Sequence, residues 1–334
     1  MILFGLPAWF ALLLIVPGER AVEPQQSPGY HVIKKLTLGG EGGWDYLTLD
    51  SVARRLYIAR STRVMVVDID KGTLLGEVKN TPGVHGVALV SKLDRGFSSN
   101  GGDATVSVFD LKTLKEINRI KVGQRPDAIL YDPYSGHVFT GNAVGDMTVI
   151  DAQTEKVVGT IKLVGKPEAI VSDEKGRIFV NIETKHEVTV IDAKKFAVLH
   201  HWSLAPGEEP TGLAIDLAKG RLFATCHSGK MIVLDAESGK VLDTPAIGKG
   251  TDACTFDPVL GLAFSSNGDG TLTIVQENKS GHYEVVENAM TQAGARTMAL
   301  DTKTHHVFLV TAKPKTGQRR SYEPDSFVIL EVGK

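Results

Sequence analysis

Seven aromatic residues return along this chain at nearly equal intervals. They are Tyr57, Phe97, Phe139, Phe179, Phe223, Phe264 and Phe308, spaced by 40, 42, 40, 44, 41 and 44 residues. A second series closes an apolar run in each unit: Asp68, Asp110, Asp151, Asp192, Asp235, Gln276 and Glu331. A fixed period of this length marks one supersecondary unit used repeatedly. The third unit shows its parts. "DAILYD" (127–132) alternates as a strand, "PYSG" is a turn, and "HVFTGN" (137–142) and "DMTVID" (146–151) are two further strands. "AQTEK" turns the chain into a fourth strand, "VVGTIKLV" (157–164). Alternation with β-branched residues suits short strands, and Pro and Gly fall where turns need them.

The last unit ends at its third strand, "SFVILEVGK", while a spare strand, "YHVIKKLTLG" (30–39), stands ahead of the first unit. It matches the fourth strand of the other units, so it is expected to complete the last one. A ring closed in this way leaves no open sheet to aggregate. The expected fold is all-β, a single seven-bladed β-propeller over residues 25–334. Three copies of one phrase, "SSNGGDATVSVFD", "TGNAVGDMTVID" and "SSNGDGTLTIVQ", read as blade-building hairpins. In them Asn and Gly supply left-handed turn geometry and the Asn side chain binds nearby backbone.

The repeats "VFTGN…MTVIDAQTEKVVGTIKLVGKPEAI" and "SSNGGDATVSVFDLKTLKEINRIKVGQRPDAI" resemble the YVTN-repeat β-propeller family in its YncE-like bacterial branch, across all seven units. That resemblance implies the propeller fold and a periplasmic or secreted location. It implies no single activity, because members of the family do many things.

Function is sought in what changes from copy to copy. Aligning "WDYL", "VHGV", "PDAI", "PEAI", "PTGL", "TDAC" and "RTMA" places Asp45, His85, Asp127, Glu168, Thr211, Asp252 and Thr297 in one layer at a channel mouth. Converging carboxylates repel unless cations or protons intervene. An oxygen-rich ring suits Ca²⁺ or Mg²⁺, with Zn²⁺, Mn²⁺ or Cu²⁺ ranked behind them on the strength of His85. The plain alternative is a water-filled channel whose polar residues cap strand ends. The column at the end of the second strand, Arg60, Asn100, Asn142, Ile182, Cys226, Asn267 and Thr311, is expected at the same mouth. Asn142, Asn267, Cys226, His227 and Arg296 are therefore candidate mouth ligands. The seventh unit inserts "AKPKTGQRRSYEPD" (312–325) there. Its Lys313, Lys315, Arg319, Arg320 and Tyr322 are a candidate basic lid, or else an ordinary solvated loop.

The run "ILFGLPAWFALLLIV" (2–16) and the polar, Pro-rich stretch after it read as a signal peptide and mature tail over residues 1–24, with an uncleaved anchor as the alternative. The mature protein is then expected to hold no stable membrane span. The two cysteines, Cys226 and Cys254, are read as free thiols, though the sequence leaves their pairing open. A formal net charge of -2 argues against a general nucleic-acid binder. No GxSxG, P-loop, GxGxxG, HExxH, CxxC or CxxCH stands in the chain. The leading expectation is a monomeric binding or scaffold protein that takes a protein or small molecule at one channel mouth. The alternative is a metal-dependent hydrolase of lactonase-like architecture using Asp45, Asp127, Glu168 and Asp252. Single-stranded DNA binding ranks last, since only the 312–325 loop joins basic and aromatic residues.

Overall fold

A computed structural model describes Met1, Ile2 and residues 29–315 and 321–334. Most of the expected signal peptide, together with Arg319 and Arg320, lies outside the described residues. The chain forms seven four-stranded antiparallel sheets arranged as a ring. The innermost strands are Leu47–Asp50, Val84–Val90, Pro126–Asp132, Pro167–Ser172, Pro210–Asp216, Thr251–Asp257 and Met298–Asp301. The blades are numbered 1 to 7 in that order. Closure is as expected: His31–Thr37 pairs antiparallel with Val328–Gly333 and supplies the outer strand of blade 7. Proline opens three inner strands, at a first position where no ladder donor is required.

The recurring aromatics explain the period. Tyr57, Phe97, Phe139, Phe179, Phe223, Phe264 and Phe308 are at most 1% exposed. Each sits on the second strand of its blade, in one of the apolar layers where neighbouring blades meet. A fully buried Phe of this kind stabilises by about 1.5–3 kcal/mol.

The repeated phrase also resolves into contacts, though not quite those expected. Its asparagines are not in left-handed geometry. The left-handed positions fall later, at Ala104 (φ 57), Gly145 (φ 98) and Gly270 (φ 95). Asn100 donates to Thr105 and Ser107, Asn142 to Asp146 and Thr148, and Asn267 to Thr271 and Thr273. Their amides thus tie the second strand to the third through side chains rather than through backbone. The residue before Asn makes a second kind of tie. Ser99 donates to the Asp127 carbonyl and Ser266 to the Arg296 carbonyl, while Asn181 does the same to Gly212, each reaching the next blade.

Candidate functional site

The ring residues stand where they do because the inner strands are bulged. Register shifts interrupt the pairing of inner and second strands between Val84 and Val87, Pro126 and Ile129, Pro167 and Ile170, Pro210 and Gly212, and Thr251 and Ala253. His85, Asp127, Glu168, Thr211 and Asp252 lie inside those shifts. A bulge re-aims a side chain, and here five of them turn to one mouth. With Asp45 they line a cup of about 990 Å³ to which all seven blades contribute. Thr297 is fully buried and does not line it.

The floor is Tyr46. In the layer below the ring the other blades carry Gly86, Ala128, Ala169, Gly212, Ala253 and Met298. Five of those six are Gly or Ala, and Tyr46 occupies the space they leave. Its ring packs towards the cluster containing Ala128 and Ile170, across from its own blade. It lines both the cup and a separate cavity of about 320 Å³ further down the bore. Burial, and then the charges of Glu168, Asp127, Asp45 and Asp252, push its pKa well above the ordinary tyrosine value.

The carboxylates carry internal cations. His85 Nδ1 lies 2.6 Å from Asp45 and 3.6 Å from Asp127. Lys166 bridges Glu168 and Glu183, the latter at 2.6 Å. Arg296 Nε donates to Asp252 at 2.6 Å. Burial would lower the His85 pKa, but the Asp45 hydrogen bond and the charges of Asp127, Asp45 and Glu168 raise it to about 9. Burial raises Asp127 to about 6 against the pull of His85. Burial and the Asp127 charge raise Glu168 to about 8. Asp252 is raised by burial despite Arg296. A shared proton supply and three cations therefore take up the repulsion that the sequence implies. The ligand atoms of Asp45, His85 and Asp127 all lie within 4.8 Å of one another, a spacing that fits a divalent ion.

The second expected column is displaced by one residue. Asn142, Asn267 and Cys226 are fully buried and do not reach the cup. The amides serve their own blades, and the Cys226 thiol packs among Leu204, Ile232 and Leu234. Strand alternation sends the next residue to the mouth instead, so Ser61, Ala143, Glu183, His227 and Gly268 line it. His227 and Arg296 are thus at the cup. His227 sits 3.5 Å from Glu209. Cys226 and Cys254 are free thiols. Lys166 and Glu183 were missed in the sequence. The signal for Lys166 was its register with Arg125, two residues ahead of the ring position in the preceding blade.

The seventh-blade insertion folds back on itself. Pro314 bridges Tyr322, Lys313 reaches Glu323 at 3.9 Å, and the Lys315 amide donates to Ser321. Tyr322 packs on Trp44 with ring centroids 4.5 Å apart and lines the cup, so this end of the insertion is part of the wall. Trp44 in turn packs near Phe327, whose ring carries the Arg60 guanidinium at 3.7 Å. Arg60 is fully buried and donates to the carbonyls of Gly40, Glu41 and Gly42, which anchors the link between the closing strand and blade 1.

Residues 60–319, more than half of the chain, match the family model described as outer membrane protein assembly factor BamB. No curated protein matches the chain. Among solved structures, that of U3-55K aligns with a TM-score of 0.77 at 8% identity, covering 90% of this chain and 99% of that one. A chain of the mitotic checkpoint complex aligns at 0.76 and 12% identity, covering 96% and 98%. Hydrazine synthase of Kuenenia stuttgartiensis aligns at 0.72 and 15% identity, covering 80% and 92%. At such identities these structures show the shared fold and nothing more.

Proposed function

The chain belongs to the family of the outer membrane protein assembly factor BamB, and on that premise we propose that it is an exported, monomeric scaffold that binds a protein partner in its ring-lined cup. One observation carries this reading. A single wide cup is built from all seven blades, and its carboxylates are already held by His85, Lys166 and Arg296. Such a surface is rigid and pre-organised, which lowers the cost of ordering on association. The family description supports a protein partner and a location at or near an outer membrane. The apolar run 2–16 supports export, and no helix among the described residues is long and apolar enough to cross a membrane. The YncE-like branch remains the finer relationship we propose, on the repeats quoted above. The test is a photo-crosslinking residue at Arg125, which is exposed at the cup, and another at Tyr134, on a turn at the opposite face. Adducts from position 125 alone in intact cells are expected. Equal adducts from both positions, or none from 125, refute the reading.

A second reading is favoured by the proximity of Asp45, His85 and Asp127, which could hold a divalent cation for hydrolytic chemistry. His85 would have to give up its second proton to serve as a ligand, through Nε2 if its Nδ1 keeps the hydrogen bond to Asp45. Asn142 and Asn267, which a lactonase-like set would recruit, point into their own blades. Metal content measured by mass spectrometry in the native protein and in Asp127→Asn decides between the two. A stoichiometric ion lost in the variant favours the hydrolase.

A further inference from the structure

The cup occupies one face of the ring. The other face is built from two sets of turns, those from inner to second strand and those from third to outer strand. All seven turns of the first set are four residues long, so their tips stand level. Large apolar side chains stand out from four of them. Val52 is 95% exposed and Val259 70%, and Tyr134, Leu217 and Leu260 are exposed as well. The other three turns present the exposed lysines Lys92, Lys175 and Lys303. Single apolar residues on a surface are ordinary. Here they recur at one level on four blades of seven.

The second set forms an outer circle of cations. Lys71, Lys112, Lys156, Lys195, Lys240 and Lys279 are exposed, one from each of blades 1 to 6, and Lys334 follows the last strand of blade 7. The carboxylates of these turns are set back. Asp68, Asp110 and Asp192 are drawn in by backbone amides. Their side chains are 17–25% exposed, against 73–81% for Lys71, Lys112 and Lys195. Three carboxylates in the turns are exposed: Asp70, held by Arg54 at 2.9 Å, Glu237, held by Arg177 at 3.0 Å, and Glu174. Lys71 and Lys195 lie 3.5 and 3.8 Å from the recessed aspartates, and Lys112 lies 2.6 Å from Asp94. Exposed pairs of this kind are weak and give way to a new partner. The outermost layer of the face is thus apolar and positive at once, with the negative charge behind it.

Level apolar tips ringed by cations fit a flat anionic surface better than a shaped partner. A lipid headgroup layer accepts dispersed side chains without complementary shape. It takes aliphatic and tyrosine side chains at its boundary and attracts protruding lysines. A nucleic acid would meet the lysines and leave Val52 and Val259 in water. The path of the chain agrees. His31 pairs with Gly333, so the chain enters the ring on this face, and the apolar run 2–16 precedes residue 29 by only residues 17–28. That stretch reaches about 40 Å at most, so a membrane that takes up the run is close to the side at which the chain enters.

We propose that this face docks on an anionic membrane surface through Val52, Tyr134, Leu217 and Val259, with the lysine circle against lipid phosphates and the cup turned away. The inference goes beyond the cup reading and does not depend on it.

The test uses the full chain carrying Val259→Cys or, separately, Val144→Cys, which is 59% exposed on the cup side. Each is labelled with an environment-sensitive dye. Burial raises the pKa of Cys226 and Cys254, which therefore stay unlabelled. Vesicles of phosphatidylcholine with phosphatidylglycerol are expected to shift the emission at 259 to the blue and leave that at 144 unchanged. Phosphatidylcholine alone should shift neither. Lys240→Gln with Lys279→Gln, both on the exposed surface, should raise the lipid concentration at half-shift about tenfold. Equal shifts at both positions, a shift indifferent to anionic lipid or to the lysines, or no shift at 259, even where the protein co-sediments with vesicles, would each overturn the inference. So would a shift at 259 produced by a single-stranded oligonucleotide and not by vesicles. Should Val259→Cys lose its thermal transition, Val52→Cys takes its place and the same outcomes decide. The cup reading stands or falls on its own cross-links, since this readout lies on the opposite face.

Discussion

Lys166 is the residue on which the ring's charge balance most visibly depends, and Lys166→Met tests that dependence. Methionine keeps an unbranched apolar stem and deletes the ammonium group. The side chains of Glu168 and Glu183 are 10% and 22% exposed, and that of Lys166 is 30% exposed. Removing one partner of a fully buried pair costs about 3–5 kcal/mol. The partial exposure here screens the charges, which brings the expected cost to about 2 kcal/mol at pH 9, where the carboxylates are ionised. With an unfolding entropy of about 2.1 cal/mol/K per residue over roughly 300 residues, that is a fall in Tm of about 3 °C. The loss should depend on pH. Glu168 already titrates at about 8 because burial and Asp127 disfavour its charge, and without Lys166 it holds its proton more firmly. At pH 5.5 Glu168 is protonated in both proteins, so its share of the penalty disappears, while the share from Glu183, which lies 2.6 Å from Lys166 and stays ionised, remains. Differential scanning fluorimetry at the two pH values makes the comparison. An equal loss at both, or no loss at pH 9, refutes the idea that Lys166 compensates these carboxylates.

Three further outcomes are expected. Glu168, Asp127 and His85 all have pKa values above their unfolded ones, so the native state holds more protons, and stability should fall as pH rises from about 5 to 9. Below about pH 4 the sign reverses. Asp68, Asp110, Asp151, Asp192 and Asp235 are lowered by backbone hydrogen bonds in their turns, and that contribution is lost as they take up protons; a thermal-midpoint profile against pH reads both arms. Gly212→Ala should cost about 1–3 kcal/mol by denaturant titration. Its Cβ would meet the Cys254 nitrogen at 2.5 Å and the Ala253 carbonyl carbon at 2.6 Å, both backbone atoms of the next blade. Burial pushes the Cys226 thiol up to about 12, and burial also raises Cys254. A thiol reagent should therefore label neither residue at neutral pH until denaturant unfolds the chain.

The fold was legible because its cause is periodic. One aromatic per unit marks the layer between blades, and the unmatched strand 30–39 announces where the ring closes. The ring of Asp45, His85, Asp127, Glu168 and Asp252 was legible for the same reason, as an alignment column. The second column failed by a single residue. Alternation along a strand turns an error of one position into an error of face, so Asn142, Asn267 and Cys226 were expected where Ala143, Gly268 and His227 stand, and of those three only His227 was also named. The bulges that aim the ring could not be read, since no residue type marks them. Lys166 was hidden for a different reason. Its partner Glu183 comes from the turn after the second strand, and the link exists only in space.

The closing strand has a consequence for the order of events during synthesis. His31–Thr37 leaves the ribosome well before its partner, Val328–Gly333, which is made roughly 300 residues later. At about 5–20 residues per second, the intervening stretch of roughly 300 residues takes about 15–60 s to make. For that time the strand waits without its sheet, and blades 1 to 6 can be complete before it is used. Lys34 and Lys35 within it discourage pairing with other chains during the delay. Joining His31–Thr37 to Val328–Gly333 is a contact across roughly 300 residues, which makes ring closure the expected slow step of folding. A chain stalled before residue 328 would carry six finished blades and a half-built seventh. Such a chain offers quality control a clear mark of incompleteness, an apolar edge that only Val328–Gly333 can cover.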